Sequence, residues 1–325
     1  MLALCVLILA FRDIKTIPTP FVIPQGWAKP TYDFSKNPLT KEGFELGRQL
    51  FYDPILSRDN TISCASCHLQ ATGFTHVDHE LSHGIDGKIG NRNSMTIMNL
   101  AWSKNFMWDG SVNHLDMQPL GPLSNFVEMD ENLNHVVKKL NNSTKYKMLF
   151  YKAFSDSLAT GQRMLLAFSQ FIVQLNSYNS KYDKYVRHEA GGDFTEQEKN
   201  GLQLFRTHCS SCHTEPLFTN QDFEKNGLSI DTTLNDFGRM SITHKRADSL
   251  KFKVPTLRNI QFTFPYMHDG RFKKLREVLN HYATTDKLAK PIALNSNEKT
   301  DIIAFLLTLT DNDFLFDKRF GFPRE

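Results

Sequence analysis

The chain has 325 residues, of which 40% are hydrophobic and 22% charged, with a formal net charge of +3. These fractions exclude an intrinsically disordered chain and a multi-span membrane protein, and the length suits about two domains. The small charge does not indicate nucleic-acid binding, and the odd count of five cysteines argues against a disulfide framework.

The N-terminal residues 1–11 are apolar, and four prolines follow before residue 31. The apolar run is shorter than the roughly 20 residues that span a bilayer, and it lacks the basic start of a full signal peptide. We interpret residues 1–30 as the remains of an export signal or a membrane anchor, followed by an extended Pro-rich linker. Lipidation of Cys5 is an alternative, but the short segment before Cys5 makes it the less favoured one.

Two parts of the chain repeat one pattern. The sequence GRQLF at 47–51 precedes CASCH at 64–68, and GLQLF at 201–205 precedes CSSCH at 209–213. The pattern predicts a helix before each C-x-x-C-H motif, and Thr195 and Glu198 predict a capping box at the start of the second helix. We therefore place two tandem units at residues 31–190 and 191–325, and expect that the last 15 or so residues can pack back on the first unit.

Further helices follow from apolar residues at helical spacing, at residues 162–176, 272–283 and 297–309. The polar stretch from 181 to 193 ends in two glycines and is predicted to be the linker between the units. The stretch from 73 to 99 is rich in Gly, Asn, His and Asp and is predicted to be a long loop. The predicted fold is mostly α-helical, with two tandem units and long loops.

C-x-x-C-H is the attachment signal of c-type haem. The two thiols add to the two vinyl groups on one edge of the porphyrin, and the adjacent histidine reaches the iron. A zinc site or a redox dithiol would also use Cys-x-x-Cys pairs, but would leave the histidine after each pair unexplained. The motifs predict two covalently bound haem c groups, held by Cys64, Cys67 and His68 and by Cys209, Cys212 and His213. Since such haems are attached outside the bacterial cytoplasm, we expect a periplasmic protein, with anchoring at the N-terminus left open.

The second axial ligand of each iron decides its chemistry, because two strong ligands favour electron transfer and an open position favours peroxide or oxygen chemistry. For the first iron the loop offers His76, His79 and His83. For the second iron the candidates are Tyr282 and Met267, and the residues alone leave a core role for Tyr282 equally open.

These motifs resemble those of the bacterial di-haem cytochrome c peroxidases and of the related MauG-like enzymes that mature tryptophan tryptophylquinone. The resemblance covers roughly residues 40–315. It rests on seven groups of residues in the family's order: LFYDP at 50–54, SCASCH at 63–68, GNRNS at 90–94, WDG at 108–110, GPL at 121–123 with VEM at 127–129, VPTLRN at 254–259 and PYMHDG at 265–270.

The resemblance implies roles at the first haem. His68 would be the proximal ligand of the peroxidatic haem, and His83 its displaceable distal ligand. Glu128 would be the distal acid, in a pocket lined by Gln118 and Pro122.

The resemblance also implies roles around the second haem. Trp108 would lie between the two haems, and His213 would be the proximal ligand of the electron-transfer haem. A calcium ion would be held by Asn93 and by the carbonyls of Thr263 and Pro265, since hard oxygen ligands suit calcium.

Tyr282 departs from the well-known peroxidases, which carry a methionine ligand at this place, and matches the quinone-maturing enzyme. An anionic oxygen ligand stabilises ferric iron, whereas a thioether raises the potential. His83 instead favours an ordinary peroxidase, so the chain combines features of both branches.

The resemblance therefore implies a peroxidase that reduces hydrogen peroxide to water with electrons from a small cytochrome c or cupredoxin. The alternatives are a MauG-like oxidase of a specific substrate, acting through high-valent haem, and a non-catalytic di-haem electron carrier. A homodimer is a candidate assembly, and no nucleic-acid partner is expected.

Overall fold

The computed structural model describes residues 16–288 and 292–324. Most of the expected export signal or anchor, including Cys5, lies outside these ranges. The Pro-rich segment after residue 16 is extended and forms a bridge between Pro18 and Thr40. Within the described ranges, no helix is both long and apolar enough to cross a membrane.

The described residues are largely helical, as predicted, with one small antiparallel sheet. The α-helices are α1 Lys41–Tyr52, α2 Cys64–Cys67, α3 Leu120–Ser124, α4 Leu133–Asn142, α5 Thr144–Phe154, α6 Gly161–Ile172, α7 Lys181–Val186, α8 Glu196–His208, α9 Met240–Thr243, α10 Leu275–Thr284, α11 Ser296–Leu307 and α12 Asn312–Leu315. The strands are β1 Phe223–Lys225 and β2 Lys251–Lys253. The predicted helices correspond to α1, α6, α8, α10 and α11, so these predictions are confirmed.

The capping box predicted at the start of α8 is confirmed. The Thr195 hydroxyl accepts a hydrogen bond from the Glu198 N–H at 3.2 Å, and the Glu198 carboxylate accepts one from the Thr195 N–H at 2.7 Å. Two free N–H groups at the helix start are thereby satisfied, which sets where α8 begins.

Two helix pairs, α1 with α6 and α8 with α11, form the centres of the two hydrophobic clusters. Both pairs need a glycine at the crossing. A Cβ on Gly47 would lie 2.0 Å from the carbonyl oxygen of Ala167, and a Cβ on Gly201 would lie 2.0 Å from that of Asp301. The glycine of each G-x-Q-L-F pattern therefore lets the two backbones approach closely.

Gly201→Ala is expected to destabilise the holoprotein by about 1–3 kcal/mol, because the new methyl group forces α8 and α11 apart. Chemical denaturation monitored by far-UV circular dichroism measures the change. Gly121→Ala in α3 is the matched control, since its Cβ would meet nothing closer than the Met107 methyl at 3.8 Å. Equal stability of the two variants would contradict the role assigned to Gly201.

The internal repeat extends beyond the cysteine motifs. Residues 106–110 (FMWDG) and 266–270 (YMHDG) form the same turn, with left-handed backbone at Met107 (φ 66°) and Met267 (φ 76°) and at both glycines. Each turn is closed by one bridge, Phe106 to Val112 and Tyr266 to Phe272. The chain thus contains two copies of one structural unit. A comparison of these two pentapeptides would have indicated the repeat from the sequence.

Residues 181–186 of the polar stretch predicted as a linker form α7, a helix that the composition did not indicate. Ser180 and Asp183 make a capping box, and Tyr182 is buried in the second hydrophobic cluster. Asp183 also pairs with the fully buried Arg258 at 2.8 Å. Composition alone did not predict this helix, because the contacts that stabilise it come from residues distant in sequence.

The C-terminal segment contacts the first hydrophobic cluster. Phe314, Leu315 and Phe320 are buried in it, and the Tyr52 hydroxyl donates to the Phe320 carbonyl at 2.8 Å. Asp311 fixes the start of this segment, because its carboxylate accepts hydrogen bonds from the chain at residues 177–179.

Candidate active site

The first C-x-x-C-H motif lies on α2, and its histidine is held in one orientation. His68 Nδ1 donates to the carbonyl oxygen of Phe74 at 2.8 Å, so Nε2 carries the free lone pair. Phe74 is fully buried with a φ of 60°, which turns its carbonyl toward the ring. Such a hydrogen bond on the far nitrogen is the usual support of a metal-binding histidine.

The second motif begins at the end of α8 and has the same support. His213 Nδ1 donates to the carbonyl oxygen of Phe218 at 3.1 Å, and Phe218 is also fully buried, with a φ of 54°. Burial lowers the pKa of both imidazoles, which keeps them neutral as iron ligation requires.

The cysteines are free thiols in environments that disfavour charge. Burial raises the pKa of Cys64 and of Cys209 to about 12 and that of Cys67 to about 11. Over residues 16–288 and 292–324, no three His, Cys, Asp or Glu side chains are arranged to hold a metal ion, so the two pairs do not combine into a zinc site. Two thiols beside an oriented imidazole fit covalent haem attachment at both motifs.

Glu128 faces the first motif. The negative charge of Glu128 raises the pKa of the Cys64 and Cys67 thiols. Burial raises the pKa of its carboxyl above the ordinary value, and a hydrogen bond from Asn125 Nδ2 to Oε1 at 2.7 Å opposes this. A carboxyl in this position can accept a proton when ionised and return it when protonated.

His83 lies on a hairpin that is attached to the turn carrying Glu128. Backbone hydrogen bonds between residues 82 and 92 hold the hairpin together. The His83 carbonyl accepts a hydrogen bond from Cys67 Sγ at 3.3 Å. Gly84 lies directly against the backbone of Val127 and Glu128, where a Cβ would be 2.1 Å from the Val127 carbonyl oxygen. The candidate distal ligand and the candidate distal acid are thus coupled through backbone contacts.

The three loop histidines form a row. The ring centroids of His76 and His79 are 5.1 Å apart, and those of His79 and His83 are 4.1 Å apart. His76 Nδ1 is buried without a hydrogen-bond partner among the described residues. Burial lowers the pKa of His76. The charge of His76 in turn lowers the pKa of His68, so His76 lies near the first motif.

Gln118 and Pro122 lie on the segment between Trp108 and Glu128. Gln118 Nε2 is 3.8 Å from the sulfur of Met107, and the Pro122 carbonyl accepts from the Met129 N–H at 3.3 Å. This segment therefore connects the first repeated turn to the turn of Glu128.

Trp108 is buried at the junction of the two halves. Its ring meets His268 edge-on at a centroid distance of 6.5 Å, and its Nε1 donates to the Asn93 carbonyl at 2.8 Å. Trp108 and His268 occupy equivalent positions in the two repeated turns, so the repeats meet at these two residues.

Of the three residues expected to hold calcium, Asn93 lies at this junction. The Asn93 N–H donates to the His268 carbonyl at 2.7 Å, and Asn93 Nδ2 donates to the Glu80 carbonyl at 2.9 Å. Thr263 lies beside Gly73, and Pro265 is buried. No described group donates a hydrogen bond to Asn93 Oδ1, which leaves a hard oxygen ligand available.

Tyr282 faces the second motif. Burial raises the pKa of Tyr282, and the nearby thiols of Cys209 and Cys212 raise it further. Its neighbour His281 turns away, with Nε2 donating to the Asn226 carbonyl at 2.8 Å. The sulfur of Met267 instead accepts from Asn226 Nδ2 at 3.6 Å.

The repeat makes the difference between the two sites explicit. Tyr282 follows Gly270 by twelve residues, and Pro122 follows Gly110 by the same number. One half thus presents a phenol, and the other a side chain that cannot ligate iron.

Sequence reasoning missed Asn125, which shapes the turn of Glu128. Its side-chain oxygen accepts from the Val127 N–H at 3.1 Å while its amide binds the carboxylate. An Asn three residues before a candidate acid is a recognisable turn signal.

Comparison with known proteins places these observations in a family. The family model described as "Di-haem cytochrome c peroxidase" matches residues 41–191. The methylamine utilization protein MauG of Methylorubrum extorquens is 31% identical over 316 residues, which cover 92% of this chain and 85% of that protein. The cytochrome c551 peroxidase of Nitrosomonas europaea is 33% identical over 270 residues, covering 82% of this chain and 79% of that protein.

A solved structure is also similar along most of the chain. It is a MauG-like protein associated with microbial copper homeostasis, with a TM-score of 0.85, 30% identity, and coverage of 94% of this chain and 99% of that one. The motifs, the fold and these relatives agree: the chain belongs to the di-haem cytochrome c peroxidase family.

Proposed function

We propose that this di-haem peroxidase reduces hydrogen peroxide to water with electrons from a small redox protein. The observation that carries the proposal is the buried carboxyl of Glu128, which faces the first cysteine motif and has a raised pKa. The relatives named as peroxidases support the same activity.

Each half of the chain would hold one haem, residues 31–190 the peroxidatic one and residues 191–325 the electron-transfer one. The matching supports of His68 and His213 and the two hydrophobic clusters favour this division. The packing of residues 314–320 on the first cluster is consistent with a C-terminal segment that returns to the first half.

The two haems, held at the motifs of His68 and His213, would supply the redox chemistry. Glu128 would take the proton from the peroxide oxygen nearer the iron and return it to the leaving oxygen, which departs as water. A positioned general acid–base of this kind contributes about 10²–10⁴-fold to the rate. Gln118 would orient the peroxide through a hydrogen bond.

His83 would occupy the distal position at rest and leave it when peroxide binds. The contact of Gly84 with the Glu128 turn means that displacement of the hairpin also moves the acid. Release of the ligand and placement of the proton acceptor would thus be one conformational event.

Trp108 would lie on the electron path between the haems. Its burial and its contact with His268 place it where the two repeats meet. Calcium held by Asn93, Thr263 and Pro265 would fix the same junction.

The donor would be a small cytochrome c or cupredoxin that docks near the second haem. We propose a periplasmic location, because covalent haem attachment and the apolar N-terminal run both point to export.

Steady-state turnover with hydrogen peroxide and a reduced cytochrome c tests the proposal. We expect two oxidised donor molecules for each peroxide consumed. A protein that holds two haems but consumes no peroxide would be an electron carrier instead.

Asn125→Ala is expected to lower turnover about tenfold near neutral pH, since a hydrogen bond to a charged group is worth about 1.5–3 kcal/mol. The bond lowers the pKa of Glu128, so its loss raises that pKa further. Glu128 must be ionised to accept the proton, and the acidic limb of the pH–rate profile should therefore move to higher pH. The profile measured by stopped flow checks this.

Ser124→Ala is the control for this variant, because the neighbouring hydroxyl bonds only to carbonyls of its own helix. An acidic limb that stays in place in Asn125→Ala would show that Asn125 has no role in positioning Glu128.

A second candidate function is oxidation of a specific substrate, as in the MauG-like branch. Tyr282 at the second motif and the similarity to MauG favour it. Peroxide consumption without a cytochrome donor but with an oxidised organic product would support this function over the first.

A further inference from the structure

Lys253, at the end of β2, is a buried cation without a partner. Its side chain is 6% exposed, and no hydrogen bond or ion pair to its amine exists among the described residues. Burial lowers its pKa to about 8, and no neighbouring charge offsets this.

Lys253 differs in this respect from the other buried Lys or Arg side chain of residues 16–288 and 292–324. That side chain, Arg258, is paired with Asp183 at 2.8 Å. Arg92, at the junction, is paired with Asp109 and Asp236, both at 2.6 Å. Burying an unpaired ammonium is unfavourable by several kcal/mol, and an anion beside it would offset that cost.

The backbone places Lys253 beside the inter-repeat contact. Its N–H donates to the Trp108 carbonyl at 2.7 Å. Phe252 stacks on His268 at a centroid distance of 3.6 Å, and successive strand residues point to opposite faces. Lys253 therefore lies on the face away from His268, opposite Phe223 on β1.

The same two strands border the second cysteine motif. The charge of Glu224 on β1 raises the pKa of the Cys212 thiol. Directly after β2, the Val254 carbonyl accepts a hydrogen bond from the Thr219 hydroxyl, and Pro255 lies near the His213 ring. The group that His213 and Cys212 hold is therefore a source of the anion that Lys253 lacks.

We propose that the Lys253 ammonium binds a propionate carboxylate of the second haem, at the side that faces Trp108. This assignment rests on the proposed binding of two haems. It makes Lys253 a cofactor-binding residue and a determinant of that haem's potential, because a cation close to the porphyrin disfavours the more positive ferric state.

Lys253→Gln tests the assignment by potentiometric titration of the haem-loaded protein. Loss of the cation should shift the Fe(III)/Fe(II) equilibrium of the second haem about tenfold toward ferric iron, which is 59 mV for one electron. Lys253→Arg keeps the charge and should keep the potential within about twofold in the same equilibrium. Haem content is measured separately by pyridine haemochrome, so failure to bind two haems refutes the proposed cofactors rather than this contact.

Lys251→Gln is the matched control, since Lys251 lies on the same strand and face but is partly exposed and paired with Asp248 at 3.3 Å. Unchanged potentials in Lys253→Gln, or a shift confined to the first haem, would overturn the assignment. If Lys253→Gln does not fold, resonance Raman spectra of the parent and Lys253→Arg decide. A propionate bending band that shifts with the new cation supports the contact, and an identical band overturns it.

Discussion

Glu128→Gln is expected to reduce peroxide turnover by about 10²–10⁴-fold while both haems remain attached. Glutamine has nearly the same shape and can keep a hydrogen bond to Asn125, but its amide cannot accept and return the peroxide proton. Stopped-flow peroxide reduction with a reduced cytochrome c measures the loss, and pyridine haemochrome measures the haem content.

Asp130→Asn is the control for this change. Asp130 lies two residues further on, makes a surface ion pair with Arg58, and has a left-handed backbone that asparagine also adopts. Surface pairs contribute little, so this variant should behave as the parent. Undiminished turnover in Glu128→Gln would exclude Glu128 as the acid–base group.

Tyr282→Met is expected to raise the reduction potential of the second haem by a few tenths of a volt. Axial ligands set haem potentials over a range of about 0.8 V, and a thioether favours ferrous iron where a phenolate favours ferric iron. Burial raises the pKa of Tyr282, so a phenolate at this position would depend on the iron for its stability. Potentiometric titration gives the shift, and a methionine–iron band in the near infrared identifies the new ligand.

Tyr266→Phe is the matched control, since Tyr266 is a buried tyrosine of the same half whose hydroxyl donates to the Ile260 carbonyl at 3.0 Å. It should leave the second haem's spectrum unchanged. A methionine–iron band already present in the parent and lost in Met267→Leu would assign the ligand to Met267 and contradict the role of Tyr282.

The two halves share one repeated unit. Both orient a histidine through a buried phenylalanine carbonyl, and both contain the same turn at 106–110 and 266–270. They differ where the second axial ligand would approach, with Pro122 in one and Tyr282 in the other. The first half adds Glu128 and the His83 hairpin, which have no counterpart at the second motif among the described residues.

Short-range features of this protein were readable from its sequence. The cysteine motifs, the Thr195 capping box and the periodic helices depend on residues within a few positions of each other, and the structure places them as predicted. The family resemblance also rests on such local motifs, and the comparisons confirm it. The roles carried over from it to single residues stay predictions until the variants above are measured.

Contacts between distant segments were decided only by the tertiary structure. The burial of Tyr182 in α7, the contact of Gly84 with the Glu128 turn and the unpaired Lys253 each depend on residues that sequence spacing does not relate. A lysine in a three-residue strand looks like a solvated charge until the fold covers it. Burial sets the energy of an unpaired charge, and burial is a property of the packed chain.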